Sequence, residues 1–277
     1  MTILPIDQAP EQGVTHAFRN RSWLPFLMVT LVMAGITAYV AIPKGDAGQA
    51  VYIAVPGFTT CVLAGMLAAR LRRTLGPRNW FLHVTDQGLY VNLRSCLNGH
   101  LPKESHRVLF IPAEEVGAVC KTLEQRHVPY RRTRADGVAS SRDRYACIDL
   151  YLTHGDTDPL RQALRDERRA EVPPGFFRRR KHHDYPVRVI DPPGVRLTWE
   201  WIRPGEDTAL RVLSERYETA PDQDVKHPRW ESLDAPGKDA FILDLWEQGH
   251  ETDALRLLKI HHQLRDRAAR AWLQERT

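Results

Sequence analysis

Two pairs of adjacent histidines, His182-His183 and His261-His262, are the residues of this chain that come closest to metal-binding chemistry. Imidazole nitrogens bind Zn²⁺ well, but neighbouring side chains on a regular helix or strand point in different directions. Neither pair has a cysteine or a carboxylate at the spacing that zinc sites use. The sequence therefore predicts solvated histidines, no metal site and no other cofactor.

Residues for covalent or acid–base catalysis are also scattered. The sequence contains no G-x-S-x-G, no H-E-x-x-H and no glycine-rich phosphate loop. Asp143, Asp149 and Asp191 are too far apart in sequence to be argued as a pair. The cysteines form no C-x-x-C motif, which favours free thiols in a reducing compartment; they are Cys61, Cys96, Cys120 and Cys147. We expect no catalytic residue and no enzyme activity.

The segment GFFRRRKHHDYP, residues 175–186, carries four consecutive basic residues next to two phenylalanines. Together with the RRTR stretch at residues 131–134, this segment could attract anionic lipid headgroups, and the phenylalanines could insert into the lipid interface. A solvated linker whose charge aids only solubility and topology is the alternative, and it stays open. No nucleic-acid recognition motif accompanies the charge, so no nucleic-acid partner is predicted. The candidate lipid-binding residues are Arg131, Arg132, Arg134, Phe176, Phe177, Arg178, Arg179, Arg180 and Lys181.

Two uncharged runs, residues 23–42 and 50–69, lie near the N-terminus. Each has about 20 residues, the length that crosses ~30 Å of hydrocarbon as a helix. The first run is longer than the apolar region of a signal peptide, and the second follows after only a short loop. These runs predict two transmembrane helices joined by an external loop at 43–49.

Basic residues indicate how such a hairpin would be oriented. The loop contains one basic residue, Lys44. Arginines precede the first run and follow the second: Arg19, Arg21, Arg70, Arg72, Arg73 and Arg78. Basic residues stay on the cytoplasmic side. The sequence therefore predicts that both termini are cytoplasmic, with residues 1–22 as an N-terminal segment and the part after residue 69 as a cytoplasmic body.

Small residues recur every four positions in the second run, at Gly57, Cys61 and Gly65. Such a stripe lets helices approach closely. We expect it to pack the two helices together, or two copies of the protein.

The body shows a regular order of elements. Strand-like and helix-like patterns occupy 79–95, 107–126, 145–152, 156–172, 185–201 and 204–217, with the helices at 156–172 and 204–217. Residues 113–126 are also compatible with a short helix, and we favour a strand. Residues 127–144 have no apolar periodicity and predict an exposed loop.

This pattern, with WFLHVTDQGLYV followed by FIPAEEVGAV, resembles that of bacterial membrane proteins with a pleckstrin-homology-like domain. The resemblance covers residues 79–217. It implies an α+β chain whose body is a small antiparallel β-barrel of seven strands with a capping helix. It also implies docking to membrane, lipid or protein without chemistry, and a place in the bacterial inner membrane.

A linker at 218–238 precedes the last predicted unit, residues 239–277. The segment DALRLLKIHHQLRDRAARAWLQ is similar to the helix pair in the C-terminal domain of the ribosomal stalk protein. The glycines of that family are absent before the last helix, where Gln263 and Arg265 stand. The similarity implies a helical hairpin that binds a protein partner through residues 239–275.

Together these features predict a non-catalytic integral membrane protein that docks or scaffolds other molecules. The alternative is an accessory or sensory subunit of a membrane transport or envelope complex. In that case the hairpin would assemble with other helices through Gly57 and Gly65.

Overall fold

The computed structural model describes most of the chain as one α+β structure with two β-sheets. The described residues are 1–10, 12–21, 23–40, 49–76, 78–95, 98, 101–131, 138–154, 156–170, 185–190, 193–200, 202–226, 232–247 and 251–276. The strands are β1 (Thr2–Pro5), β2 (Val14–Asn20), β3 (Leu82–Thr85), β4 (Gly88–Asn92), β5 (Arg107–Pro112), β6 (Val116–Arg131), β7 (Val138–Leu152), β8 (Val187–Ile190), β9 (Gly194–Thr198), β10 (Ile202–Arg203), β11 (Glu218–Thr219) and β12 (Gln223–Lys226). The helices are α1 (Leu24–Val40), α2 (Gln49–Thr74), α3 (Asp158–Arg169), α4 (Glu206–Ser214), α5 (Ala235–Glu247), α6 (Glu251–His262) and α7 (Asp266–Arg276).

The first sheet has the strand order β1-β5-β4-β3-β2-β10, and all its pairs are antiparallel. Its centre is the β3–β4 hairpin that the sequence predicts. The turn ends at Gly88, whose φ is +150°, and a Cβ there would lie 2.2 Å from the carbonyl oxygen of Ile111. A side chain would clash with this backbone, so only glycine fits at this position. The chain therefore reverses through Asp86 and Gln87 and enters β4 at Gly88.

The second sheet has the order β11-β6-β7-β9-β8. Its main pairs are antiparallel, while β11 and β12 both run parallel to β6. Residues 113–126 contain a short 3-10 turn and then β6, so the strand interpretation is confirmed. The predicted loop at 127–144 is wrong at both ends, because β6 continues to Arg131 and β7 begins at Val138.

One hydrophobic core lies between the inner faces of the two sheets. It includes Leu82 and Leu109 of the first sheet and Ile148 and Leu197 of the second, all fully buried. The ring of Trp199 meets those of Phe18 and Phe81 edge-on, at 5.3 and 5.6 Å between centroids. Helices α3 and α4 add their apolar faces through Leu160, Ala163, Leu164, Ala209, Val212 and Leu213.

The predicted closed barrel is wrong, because the described strands form two separate sheets. The sequence pattern omitted β1 and β2, which come from residues 1–22 and extend the first sheet. It also omitted β11 and β12, which add to β6 from the predicted linker. In the described residues, β1 and β10 are the edges of the first sheet and β11 and β8 those of the second, so neither sheet closes on the other.

The predicted transmembrane hairpin is also wrong. No helix within the described ranges is long and apolar enough to cross a membrane. Helix α1 has 17 residues, which at 1.5 Å per residue is shorter than the ~30 Å of hydrocarbon. Helix α2 has 26 residues, but it continues through Arg70, Arg72 and Arg73 to Thr74. This finding contradicts the prediction of an integral protein of the bacterial inner membrane with both termini cytoplasmic.

The C-terminal part contains three helices where the sequence predicts a hairpin of two. Helix α6 ends at His262 because Gln263 adopts a left-handed conformation, with φ of +55°, and α7 begins shortly after. The three helices share a small core of their own, formed by Ile242, Leu245, Ala254, Leu257, Leu258, Ala269 and Leu273. We call α5, α6 and α7 the three-helix unit. It touches the rest of the fold where α6 lies near β6.

Two buried histidines on the first sheet predict sensitivity to acid. The ring of His83 stacks on Trp80 at 4.0 Å between centroids, and neither of its nitrogens has a hydrogen-bond partner. Burial, and then Arg19, lowers the pKa of His83 to about 4. His106 donates from Nε2 to Asn92 Oδ1 at 2.8 Å, and burial, with Arg94 and Arg78, lowers its pKa to about 3.

We expect the free energy of unfolding to fall as pH decreases from about 6.5 towards 4. The unfolded histidines take up protons in this window and the folded ones do not, so each contributes up to ~1.4 kcal/mol per pH unit. Urea unfolding at pH 7, 6 and 5 measures the slope. His106→Gln should flatten it, and an equal slope in this variant would contradict the assignment to His106.

Candidate functional site

The residues predicted to bind lipid lie almost entirely outside the described part of the chain. The structure does not describe Arg132, Arg134 or the run from Phe176 to Lys181. Arg131 is the last residue of β6, and only its backbone is described. Binding of anionic lipid by these residues stays a prediction, as does binding of a protein partner by residues 239–275.

The predicted helix-packing residues divide into two groups. A Cβ on Gly57 would lie 4.0 Å from Cγ2 of Thr37, so this end of the stripe faces α1. One turn away, the hydroxyls of Thr37 and Thr60 hydrogen-bond at 2.9 Å and join α1 to α2. Cys61 is exposed, and apart from the neighbouring backbone of α2 no atom of the described residues lies within 4 Å of a Cβ built on Gly65. The second half of the stripe is therefore open.

The two N-terminal helices carry most of the exposed apolar side chains of the described residues. We call these side chains the hairpin surface: Leu24, Met28, Val29, Leu31, Val32, Ile36, Tyr39, Phe58, Val62 and Met66. Phe58 is 73% exposed and Met28 is 62% exposed. Outside α1 and α2, the described large apolar side chains that are exposed are Leu75 and Ile260. Apolar patches of this kind mark interaction sites, because water-exposed apolar area is costly.

A second notable feature is a set of charges on the outer face of the second sheet. We call Glu124, Asp149, Arg188 and Arg196 the ion-pair network. Arg196 donates from Nε and Nη2 to the two oxygens of Asp149 at 2.7 and 2.6 Å. Arg188 donates from Nη2 to Glu124 Oε2 at 2.6 Å, and Arg196 Nη1 lies 3.6 Å from the same oxygen. Strands β6, β7, β8 and β9 each supply one charge, and the sum is zero.

The ion-pair network is buried and held in its charged form. The carboxylates of Glu124 and Asp149 have no exposed area. Burial is the largest single influence and would lower the pKa of Arg188 and of Arg196. The acidic neighbours together outweigh it, chiefly Glu124 for Arg188, and Asp149 with Glu124 for Arg196. Both arginine pKa values are therefore raised, and both guanidinium groups stay protonated. The network joins strands and leaves no free acid or base for chemistry.

A cysteine next to this network is equally unreactive. Burial raises the pKa of the Cys147 thiol to about 11, with Glu124 adding to the effect and Arg188 opposing it. A thiol that stays protonated near neutral pH is a poor nucleophile. The buried Cys147 side chain therefore contributes to packing within this sheet.

A further ion pair lies at the end of the first sheet. Arg94 donates from Nε and Nη2 to the two oxygens of Glu167 on α3, at 2.7 and 2.9 Å. Each side chain is only 1% exposed. Arg94 also donates to Pro102 O and to Ser105 Oγ. A small cavity of about 30 Å³ lies next to Arg94, and its lining includes Asn79, Trp80 and Thr198.

Neither ion-pair site is predicted from the sequence. The signal for the network is the alternation of charged and apolar residues in VRVI, VRLT and CIDLYL. It indicates that one face of each strand is polar, but it does not tell which charges meet.

No family model, curated protein or solved structure matches the chain.

Proposed function

We propose that the chain is a non-catalytic docking protein that assembles through the hairpin surface, with a second copy of the chain as the occupant. The observation that carries this proposal is the concentration of exposed apolar side chains on α1 and α2. The described buried charges support the non-catalytic part, because they are engaged in ion pairs between elements.

The chemistry of the hairpin surface limits what it binds. Helix α1 contains no charged residue from Leu24 to Val40. A charged partner surface would therefore find no opposite charge on this helix. An apolar surface is best covered by another apolar surface, and obligate homodimer interfaces are the more apolar class. A second copy of the chain presents the same patch, and two-fold pairing joins the two copies without leaving an open end.

Small side chains favour close packing of the two copies. Cys61 and Gly65 lie on the open half of the stripe, between the larger Phe58 and Met66. Interaxial distances between helices fall to about 8 Å where the contact residues are small. Two hairpins would then form a four-helix arrangement with Phe58 in its interface.

The test measures the mass of the full-length chain in solution as a function of concentration. We expect a dimer whose dissociation constant rises roughly 10-fold or more in Phe58→Asp, since an unpaired carboxylate is costly in an apolar interface. Ile260→Asp is the matched control, because Ile260 is exposed on α6, away from the hairpin surface. A monomer at all concentrations, or a dimer that Phe58→Asp leaves intact, would refute the proposal.

Cross-linking gives an independent reading of the same interface. Cys61 is exposed, whereas Cys120 and Cys147 are buried. A short bis-maleimide should join two chains through Cys61, and Cys61→Ser should abolish that product. A cross-linked dimer that persists in Cys61→Ser would place the contact elsewhere.

A further inference from the structure

Three potential metal ligands meet in the three-helix unit, on α5 and at the end of α6. Oδ1 of Asp239 lies 2.6 Å from Nε2 of His262 and 3.5 Å from Nε2 of His261. One ligand atom from each residue lies within 4.8 Å of the other two. From the sequence alone this histidine pair is predicted to be solvated, because the carboxylate comes from a part of the chain more than 20 residues away.

The fold explains why the three side chains converge. Helices α5 and α6 pack against each other through Ile242, Leu257 and Leu258, which brings the end of α6 to the early part of α5. The left-handed Gln263 ends α6 directly after the two histidines. Their rings lie 4.5 Å apart between centroids at an angle of 59°, and both reach the same carboxylate oxygen.

We propose that Asp239, His261 and His262 form a binding site for a divalent transition-metal cation, with Zn²⁺ as the expected occupant. Two imidazole nitrogens and one carboxylate oxygen are ligands that Zn²⁺ accepts, whereas Ca²⁺ and Mg²⁺ prefer oxygen alone. The side chain of His261 is 18% exposed, that of His262 is 32% exposed and that of Asp239 is 34% exposed. The site is therefore open to a cation from solution, and water would complete a tetrahedral shell.

The surroundings restrict the position of one ligand. The ring of His262 packs on Trp272 of α7 at 5.4 Å between centroids, and the guanidinium of Arg276 lies 4.3 Å above that same indole. All three helices therefore border the site. A bound cation would tie α5 to α6 in a unit with a small core, and metals commonly stabilise such units. This role does not depend on the hairpin surface.

The test is a calorimetric titration of ZnCl₂ into the metal-free full-length chain. We expect one Zn²⁺ per chain, with affinity reduced at least roughly 10- to 100-fold in Asp239→Asn and in the double variant His261→Gln/His262→Gln. Two variants are matched controls: Asp244→Asn on the same helix, and the adjacent pair His182→Gln/His183→Gln. Circular dichroism verifies that each variant is folded.

A second measurement reports the geometry of the site. Co²⁺ in place of Zn²⁺ should give visible absorption of a four-coordinate site, and Asp239→Asn should remove it. No Zn²⁺ binding, or binding that survives in the cluster variants and is lost in His182→Gln/His183→Gln, would show that Asp239 and the histidines form an ion pair only.

Discussion

Asp149→Ala should lower the free energy of unfolding by about 3–5 kcal/mol, the cost of breaking a buried ion pair from one side. The carboxylate of Asp149 has no exposed area and accepts hydrogen bonds from Arg196 and from Thr122 Oγ1, the latter at 2.7 Å. Among the described residues, its removal leaves the buried guanidinium of Arg196 with the more distant Glu124, at 3.6 Å, as its counter-charge. The residual charge, more than the lost bonds, sets the size of the effect.

Urea unfolding of the full-length chain measures this loss. Asp207→Ala is the control, since Asp207 pairs with Lys121 at the surface and is 80% exposed, where ion pairs contribute little. The double variant Asp149→Leu/Arg196→Met should recover a large part of the stability, because it removes both charges together. A small loss in Asp149→Ala, no larger than that of Asp207→Ala, would show that the network does not hold the second sheet together.

Glu167→Ala should also cost about 3–5 kcal/mol, by the same physical mechanism at another place in the fold. Both side chains of the Arg94–Glu167 pair are 1% exposed, and they join the end of β4 to α3. Without Glu167, Arg94 keeps its hydrogen bonds to Pro102 O and Ser105 Oγ but loses the only carboxylate that the structure places on it. We expect α3 to loosen from the sheet before the rest unfolds.

Hydrogen exchange separates local from global loss in this case. Amides of α3 should exchange faster in Glu167→Ala, while those of β7 and β9 change less. The neighbouring Asp166→Asn is the control, because Asp166 lies on the exposed face of α3 and accepts a hydrogen bond from Gln162 of the same helix. Unchanged protection of α3 in Glu167→Ala would contradict the assigned role.

These two predictions bear on function as well as on stability. The ion pairs Arg94–Glu167, Arg188–Glu124 and Arg196–Asp149 join strand to strand or strand to helix, so their loss should loosen the contacts between these elements. The proposed assembly through the hairpin surface and the proposed Zn²⁺ binding by the three-helix unit are tested by different variants.

The sequence by itself determined the local elements. Alternation at Leu82, Val84, Leu89 and Val91 predicted the β3–β4 hairpin, and it is present with Gly88 at the turn. The Asp158-Pro159 start predicted α3, which runs from Asp158 to Arg169. These features depend on residues within a few positions of each other, where side-chain periodicity and backbone preference act directly.

Only the tertiary structure decided which distant residues meet. The partners Arg94 and Glu167 are 73 positions apart, and Asp149 and Arg196 are 47 apart. The short strands β1 and β11 carry too few residues for a pattern, and they exist because β5 and β6 have edges to extend. Asp239 and His262 likewise meet only because α5 packs on α6. Such pairings depend on burial shared across the whole fold, and no short stretch of sequence encodes it.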